Sequence, residues 1–142
     1  KLPTTSPLLD DETFASLLTQ LNSGHRPFIP SPICEAYSIR RSDIRTGVIC
    51  PECGILGMTW HKRKWECMNC GSRSEKAHKQ AIRDWFLLFG GKMMNKDCRA
   101  FLHLERQQNA NRLLREMNLH TEGANRNRTY MMWLPSYQKK RT

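Results

Sequence analysis

Four of the six cysteines fall into two Cys-x-x-Cys pairs, Cys50-Pro-Glu-Cys53-Gly and Cys67-Met-Asn-Cys70-Gly, with 13 residues between them; Cys34 and Cys98 stand apart. Three chemistries use such pairs. A disulfide framework belongs to secreted chains, yet no apolar leader follows Lys1. Bonds between cysteines three apart would also close loops too small to restrain much of the unfolded chain. A thioredoxin-like redox centre uses a single pair in a βαβ setting. Zinc fits better: two tight knuckles, each presenting two thiolates, fill the four positions of one tetrahedral ion. The glycines after the pairs, Gly54 and Gly71, permit the positive φ such a turn needs. The expectation is one zinc ion on Cys50, Cys53, Cys67 and Cys70. With four thiolates and no open position it is structural, and it supplies folding energy to a segment too short for a core of its own. His61 is not needed, since the ligand set is complete without it.

A second group of residues carries the chemistry of nucleic-acid recognition. Between about residues 106 and 117, Ala110, Leu113, Leu114 and Met117 form one narrow apolar stripe, while Arg106, Gln107, Gln108, Asn111, Arg112 and Arg115 occupy the rest of the surface. A helix of this kind fits the major groove of B-DNA, where Arg reads guanine and Gln or Asn reads adenine with two hydrogen bonds. Gln107, Gln108, Asn111 and Arg112 are the candidates for base edges. Arg106, Arg115, Arg126 and Arg128 are the candidates for phosphates. Lys62, Arg63 and Lys64, between the two cysteine pairs, are further candidates for the backbone. A solvated helix face is the plainer alternative for the same residues.

The distribution of charge agrees with this. The chain has 142 residues, 23 Lys and Arg against 13 Asp and Glu, and a formal charge of +10. Residues 72–142 carry 15 of those bases and 6 of the acids, hence +9 of the total. A polyanionic partner should meet that half. No run of roughly 20 apolar residues is present, so a membrane span is not expected, and the cytoplasm is the expected compartment.

The elements that must position these groups follow from periodicity and turn signals. Residues 1–33 read as a helix over about 11–22, charged at its start by Asp10, Asp11 and Glu12, and then a proline-rich connector. The apolar stripe of that helix, Phe14, Leu17, Leu18 and Leu21, is expected to bury against something. Residues 34–72 read as a zinc ribbon, with two strand-like pieces flanking a basic tip at 61–64. Trp60 and Trp65 either pack over the metal site, the favoured reading, or stack on bases. Residues 73–136 read as a winged helix-turn-helix. A long amphipathic helix over 75–89 ends at Gly90-Gly91, a second is capped by Asn95 and runs to Leu102, and the basic helix follows a turn at 103–105. Strands at 119–121 and 129–134 then flank a basic loop, the wing. Residues 137–142 are a basic tail. The fold class is thus small α+β domains, a ribbon hairpin followed by a winged helix.

No catalytic constellation is visible. The acids are scattered rather than clustered for magnesium, His78 and Asp84 lie on different sides of their helix, and Cys98 reads as a small buried hydrophobe. The chain is not expected to be an enzyme.

The runs Cys50-Pro-Glu-Cys53-Gly, Trp65-Glu-Cys67-Met-Asn-Cys70-Gly, Ala77-His78 and Ala81-Ile82-Arg83-Asp84-Trp85-Phe86 resemble the C-terminal part of bacillar nuclease-related-domain (NERD) proteins. Asn95-Lys96-Asp97-Cys98-Arg99-Ala100-Phe101-Leu102, Arg112-Leu113-Leu114-Arg115-Glu116-Met117-Asn118-Leu119, Tyr130 and His25-Arg26-Pro27-Phe28 extend the resemblance over about residues 24–134. It implies a DNA-recognition tail of a bacterial protein with a nuclease-like domain upstream. This chain lacks that domain, retaining at most its last helix, so no nuclease activity carries over. The expected function is a zinc-stabilised module that binds double-stranded DNA. The alternative is an adaptor that docks a nuclease or another protein.

Overall fold

The computed structural model describes residues 9–24 and 31–132. The segment 25–28, residues 133 and 134 of the last expected strand, and the basic tail 137–142 lie outside the described residues, as does the side chain of Arg126. Within them the chain is a small α+β fold with two three-stranded antiparallel sheets. No described helix is long and apolar enough to cross a membrane.

Helix α1 (Asp11–Gly24) starts where the acids predict, with the Asp10 carboxylate accepting from the Thr13 N–H at 2.7 Å. Its apolar stripe is not buried: Phe14 is 54% and Leu21 70% exposed, and every residue of the helix faces solvent. The expected burial is therefore corrected. The proline-rich connector also contains a short helix absent from the sequence reading, α2 (Ile33–Ala36), which buries Cys34. Pro32, just before it, packs against Gly90, where a Cβ would come within 2.6 Å of the ring; Gly90 also needs its φ of +60°.

The first sheet holds β1 (Thr59–His61), β2 (Lys64–Glu66) and β3 (Arg73–Ser74) in the order β1-β2-β3. The sequence pattern shows no strand at residues 73–74 and starts the long helix at 75. Instead Glu66 pairs with Arg73, backbone in register and carboxylate to guanidinium at 2.8 Å, and helix α3 (His78–Phe89) begins later. Ala81, Ile82, Trp85 and Phe86 recur at helical spacing on its buried face.

The second sheet has the order β4-β6-β5, from β4 (Met93–Met94), β5 (Leu119–Glu122) and β6 (Thr129–Met132). Strand β4 is too short to show in sequence and exists because Met93 pairs with Tyr130. Between β4 and β5 lie α4 (Asn95–Leu102) and α5 (Gln107–Arg115). Asn95 does not cap α4. Met94 holds the cap position and its N–H donates to the Asp97 carboxylate at 2.8 Å, which frees the Asn95 amide to reach α5.

One buried cluster runs through all of this. Val48, Met58 and Trp65 join Ala81, Ile82, Trp85 and Phe86 of α3, Cys98, Phe101 and Leu102 of α4, and Ala110, Leu113 and Leu114 of α5. Burying a side chain of this size contributes about 1.5–3 kcal/mol, so the ribbon segment and the three helices stabilise one another. Cys98 is fully buried in this cluster, and burial pushes its thiol up to about 12.

Candidate metal centre and basic face

The two knuckles are built alike. In each, the first cysteine's N–H donates to a carbonyl five residues on (Cys50 to Ile55, Cys67 to Ser72, both 2.9 Å), and the glycine's N–H returns to the cysteine's carbonyl (Gly54 to Cys50, Gly71 to Cys67, both 2.9 Å). Gly54 and Gly71 have φ of +72° and +71°. This loop needs a left-handed residue after the second cysteine, and glycine supplies it without strain. The knuckles meet so that all four Sγ atoms lie within 4.8 Å of one another. Cys50 and Cys70 are 3.7 Å apart and Cys53 and Cys67 are 3.6 Å apart, and none of the four is in a disulfide. Such a cluster is able to hold a metal ion. Ser72 Oγ sits 3.0 Å from Cys50 Sγ and 3.2 Å from Cys70 Sγ, and the Asn69 amide donates to Cys53 Sγ at 3.7 Å. The Ser72 contact is the main cause that pulls the Cys50 thiol down to about 6, while Cys53, against a backbone hydrogen bond from Ile55, is pushed up to about 11 by burial and the neighbouring thiols. Without a cation the four sulfurs do not all ionise together, and a bound metal is what would hold all four as thiolates.

The hairpin between the knuckles turns on two residues, Lys62 (φ +44°) and Arg63 (φ +67°), with His61 opposite Lys64. Positive φ at both turn positions matches the twist of the flanking strands. The tryptophans pack inward across the same strands, Trp60 opposite Trp65 with ring centroids 5.0 Å apart. Trp65 is 0% exposed and its indole N–H donates to His78 Nδ1 at 3.3 Å. His78 Nε2 in turn faces Glu116 Oε2 at 3.6 Å, Glu116 pairs with Arg112 at 3.2 Å, and Arg112 lies over the Trp60 ring at 5.7 Å. A closed chain of contacts thus ties the hairpin to α3 and α5. Sequence reasoning missed it, because His78, Glu116 and Trp60 are far apart in the chain.

Helix α5 shows Gln107, Gln108, Asn111 and Arg115 outward, while Ala110, Leu113 and Leu114 are buried. Asn95 Nδ2 donates to Gln107 O at 3.1 Å and to Asn111 Oδ1 at 2.7 Å, and Asn95 Oδ1 accepts from Arg99 Nε at 3.0 Å. This network fixes how α5 crosses α4. It also occupies the Asn111 carbonyl oxygen, leaving Asn111 its NH₂ alone for an outside partner.

A concave surface borders α5 on each side. One groove of ≈ 590 Å³ lies between the hairpin, with Trp60, Lys62 and Arg63, and Arg106 and Asn109 of α5 and its approach. A second, of ≈ 370 Å³, lies between α5, with Gln107, Asn111 and Arg115, and the β5–β6 loop, with Asn125 and Arg128. These two grooves and the α5 surface between them share lining residues, so Lys62, Arg63, Arg106, Gln107, Gln108, Asn111, Arg115 and Arg128 border one continuous surface. The structure directs two of the named residues elsewhere: Lys64 pairs with Glu75 at 3.2 Å, and Arg112 is engaged by Trp60 and Glu116. Arg126 sits in the 3₁₀ turn Asn125–Asn127 of the β5–β6 loop. Among the described residues Lys62, Arg63, Arg106, Arg115 and Arg128 are in no ion pair.

Compared with protein-family models, with curated proteins and with solved structures, the chain has no match.

Proposed function

We propose that this protein is a DNA-binding module, a zinc ribbon joined to a winged helix-turn-helix, in which α5 enters the major groove of a duplex. The observation that carries the reading is the outward face of α5. Two glutamines, groups that pair with adenine, and the NH₂ of Asn111 are flanked by Arg106, Arg115 and Arg128, which are in no ion pair among the described residues. The helix–strand–helix–helix–hairpin order with sheet order β4-β6-β5 supports a wing at residues 123–128. Gln107 and Gln108 are the base readers, Asn111 offers only its NH₂ donors, and Arg106, Arg115, Arg126 and Arg128 meet phosphates. Arg112 and Lys64 serve the fold instead.

The metal is zinc. Bonds of about 2.3 Å in a tetrahedron place thiolate sulfurs about 3.8 Å apart, close to the 3.6 and 3.7 Å of the two pairs. The ion fixes the knuckles and takes no part in chemistry, and the reading assigns no enzymatic activity to this chain. Reduced thiols of this kind suit the cytoplasm. The order of ribbon and helices also accords with the resemblance to NERD proteins, and we propose the same role, a recognition tail for a nuclease-like domain.

A second reading has one observation in its favour. The bare stripe of Phe14, Leu17, Leu18 and Leu21 on α1 suits an adaptor that docks a protein. Salt separates the two. Anisotropy titrations of the zinc-loaded chain with random and A-rich duplexes should give a log–log slope of about −3.6 or steeper, from the four phosphate-facing arginines at about −0.9 each. Absence of binding at low salt would sink the DNA reading.

A further inference from the structure

The hairpin between the knuckles has a job that a metal clip alone does not require. A two-residue turn with both residues left-handed is most comfortable as Asn-Gly, yet this chain places Lys62 and Arg63 there. Residues with a Cβ are strained in that conformation. The turn therefore carries two long, exposed cations on a defined stretch of backbone, and neither is in an ion pair among the described residues. Arg106 and Asn109 face them across the groove beside α5, whose floor includes Gly57 and Trp60. One acid, Glu105, shares the lining.

The dimensions of DNA give this groove an occupant. A helix with its side chains is about 10–12 Å across and the major groove about 12 Å wide, so a seated helix has a phosphate ridge on either flank. Helix α5 is bordered on either flank by a concave surface with cations in its lining, Arg115 and Arg128 against the β5–β6 loop and Lys62, Arg63 and Arg106 against the hairpin. We propose that the groove between the hairpin turn and α5 seats the sugar–phosphate backbone of one DNA strand, with Lys62 and Arg63 on its phosphates. This rests on the duplex-DNA reading of α5. It adds that the ribbon is part of the binding surface, and that the contacts holding the hairpin to α5, Arg112 on Trp60 above all, set the width of the seat.

The double variant Lys62→Asn, Arg63→Gly tests it in the full zinc-loaded chain, because it relieves the turn while removing both charges. The melting temperature should be equal to or above that of the parent. The salt slope for a 20-base-pair duplex should flatten by about 1.8, which at 0.1 M salt is about 60-fold in affinity. Glu105→Gln, which leaves the turn untouched, should tighten binding about threefold by removing repulsion from the phosphates. Parental affinity and slope in the double variant, with Glu105→Gln also neutral, would overturn the assignment while leaving the α5 reading intact. A parent that binds no duplex at low salt would overturn both.

Discussion

Arg112 and Arg115 sit one turn apart on the same helix and look alike in sequence, but their surroundings assign them different work. Arg112 lies over Trp60 at 5.7 Å and pairs with Glu116 at 3.2 Å, with about two-fifths of each side chain in the pair still exposed. A cation–π contact of this kind contributes about 0.5–1 kcal/mol and a surface i,i+4 ion pair about 0.3–0.5. Alanine's better helix propensity returns a few tenths, so Arg112→Ala should destabilise by about 1 kcal/mol, or about 4 °C in Tm for a chain of this size. Arg115 is exposed and in no ion pair among the described residues. Arg115→Ala should leave Tm within about 0.5 kcal/mol of the parent, flatten the salt slope for duplex by about 0.9 and weaken binding about eightfold at 0.1 M salt. Thermal melts and anisotropy titrations of both variants, zinc-loaded, make the comparison. If Arg112→Ala leaves Tm unchanged and flattens the slope as much as Arg115→Ala, the assignment of Arg112 to the fold is wrong.

Three further outcomes are expected. Burial holds His78 down to about 4; Glu116 pulls it up, while Lys79 and Arg112 push it down. Its folded pKa lies below the ordinary 6.5, so the unfolded chain takes the proton first. The stability is complete above about pH 6.5 and falls as pH drops toward about 4. By pH 5 the loss is about 2 kcal/mol. His78→Gln should show that much less change in urea stability between pH 7 and pH 5, the thiolates being common to both proteins; equal pH dependence would contradict it. Cys50→Ser should release zinc and loosen the hairpin, read by elemental analysis and tryptophan fluorescence; one retained zinc per chain would refute the ligand set. Gly123 has φ +76° and a Cβ there would lie 2.7 Å from the Asn127 carbonyl. Gly123→Ala should therefore cost about 1–3 kcal/mol or reshape the β5–β6 loop, seen as a lower Tm or weaker binding; neither change would mean the loop is not fixed as described.

What was legible in the sequence was local. The knuckles follow from cysteine and glycine spacing over five residues, and the buried face of α5 from Ala110, Leu113 and Leu114 at helical intervals. What stayed hidden depends on partners distant in the chain. Strands β3 and β4 have two residues each, and only their pairing with β2 and β6 makes them strands. Asn95 has the side chain of a helix cap, yet Asp97 takes the Met94 N–H and the Asn95 amide turns to Gln107 and Asn111. Lys64 and Arg112 read as members of a basic patch because sequence does not show Glu75, Trp60 and Glu116 beside them. On α1, periodicity gave the helix but not its environment, since an apolar stripe does not reveal what covers it.

Whether the face built around α5 is the one that meets DNA is most directly decided by NMR. Backbone amide shifts of the zinc-loaded chain would be followed while a 20-base-pair duplex is added at low salt. Shifts should concentrate at residues 106–115, 123–128 and 61–63, with α1 and the outer face of α3 little affected. No shifts on saturating duplex, or shifts confined to α1 and α3, would contradict the assignment.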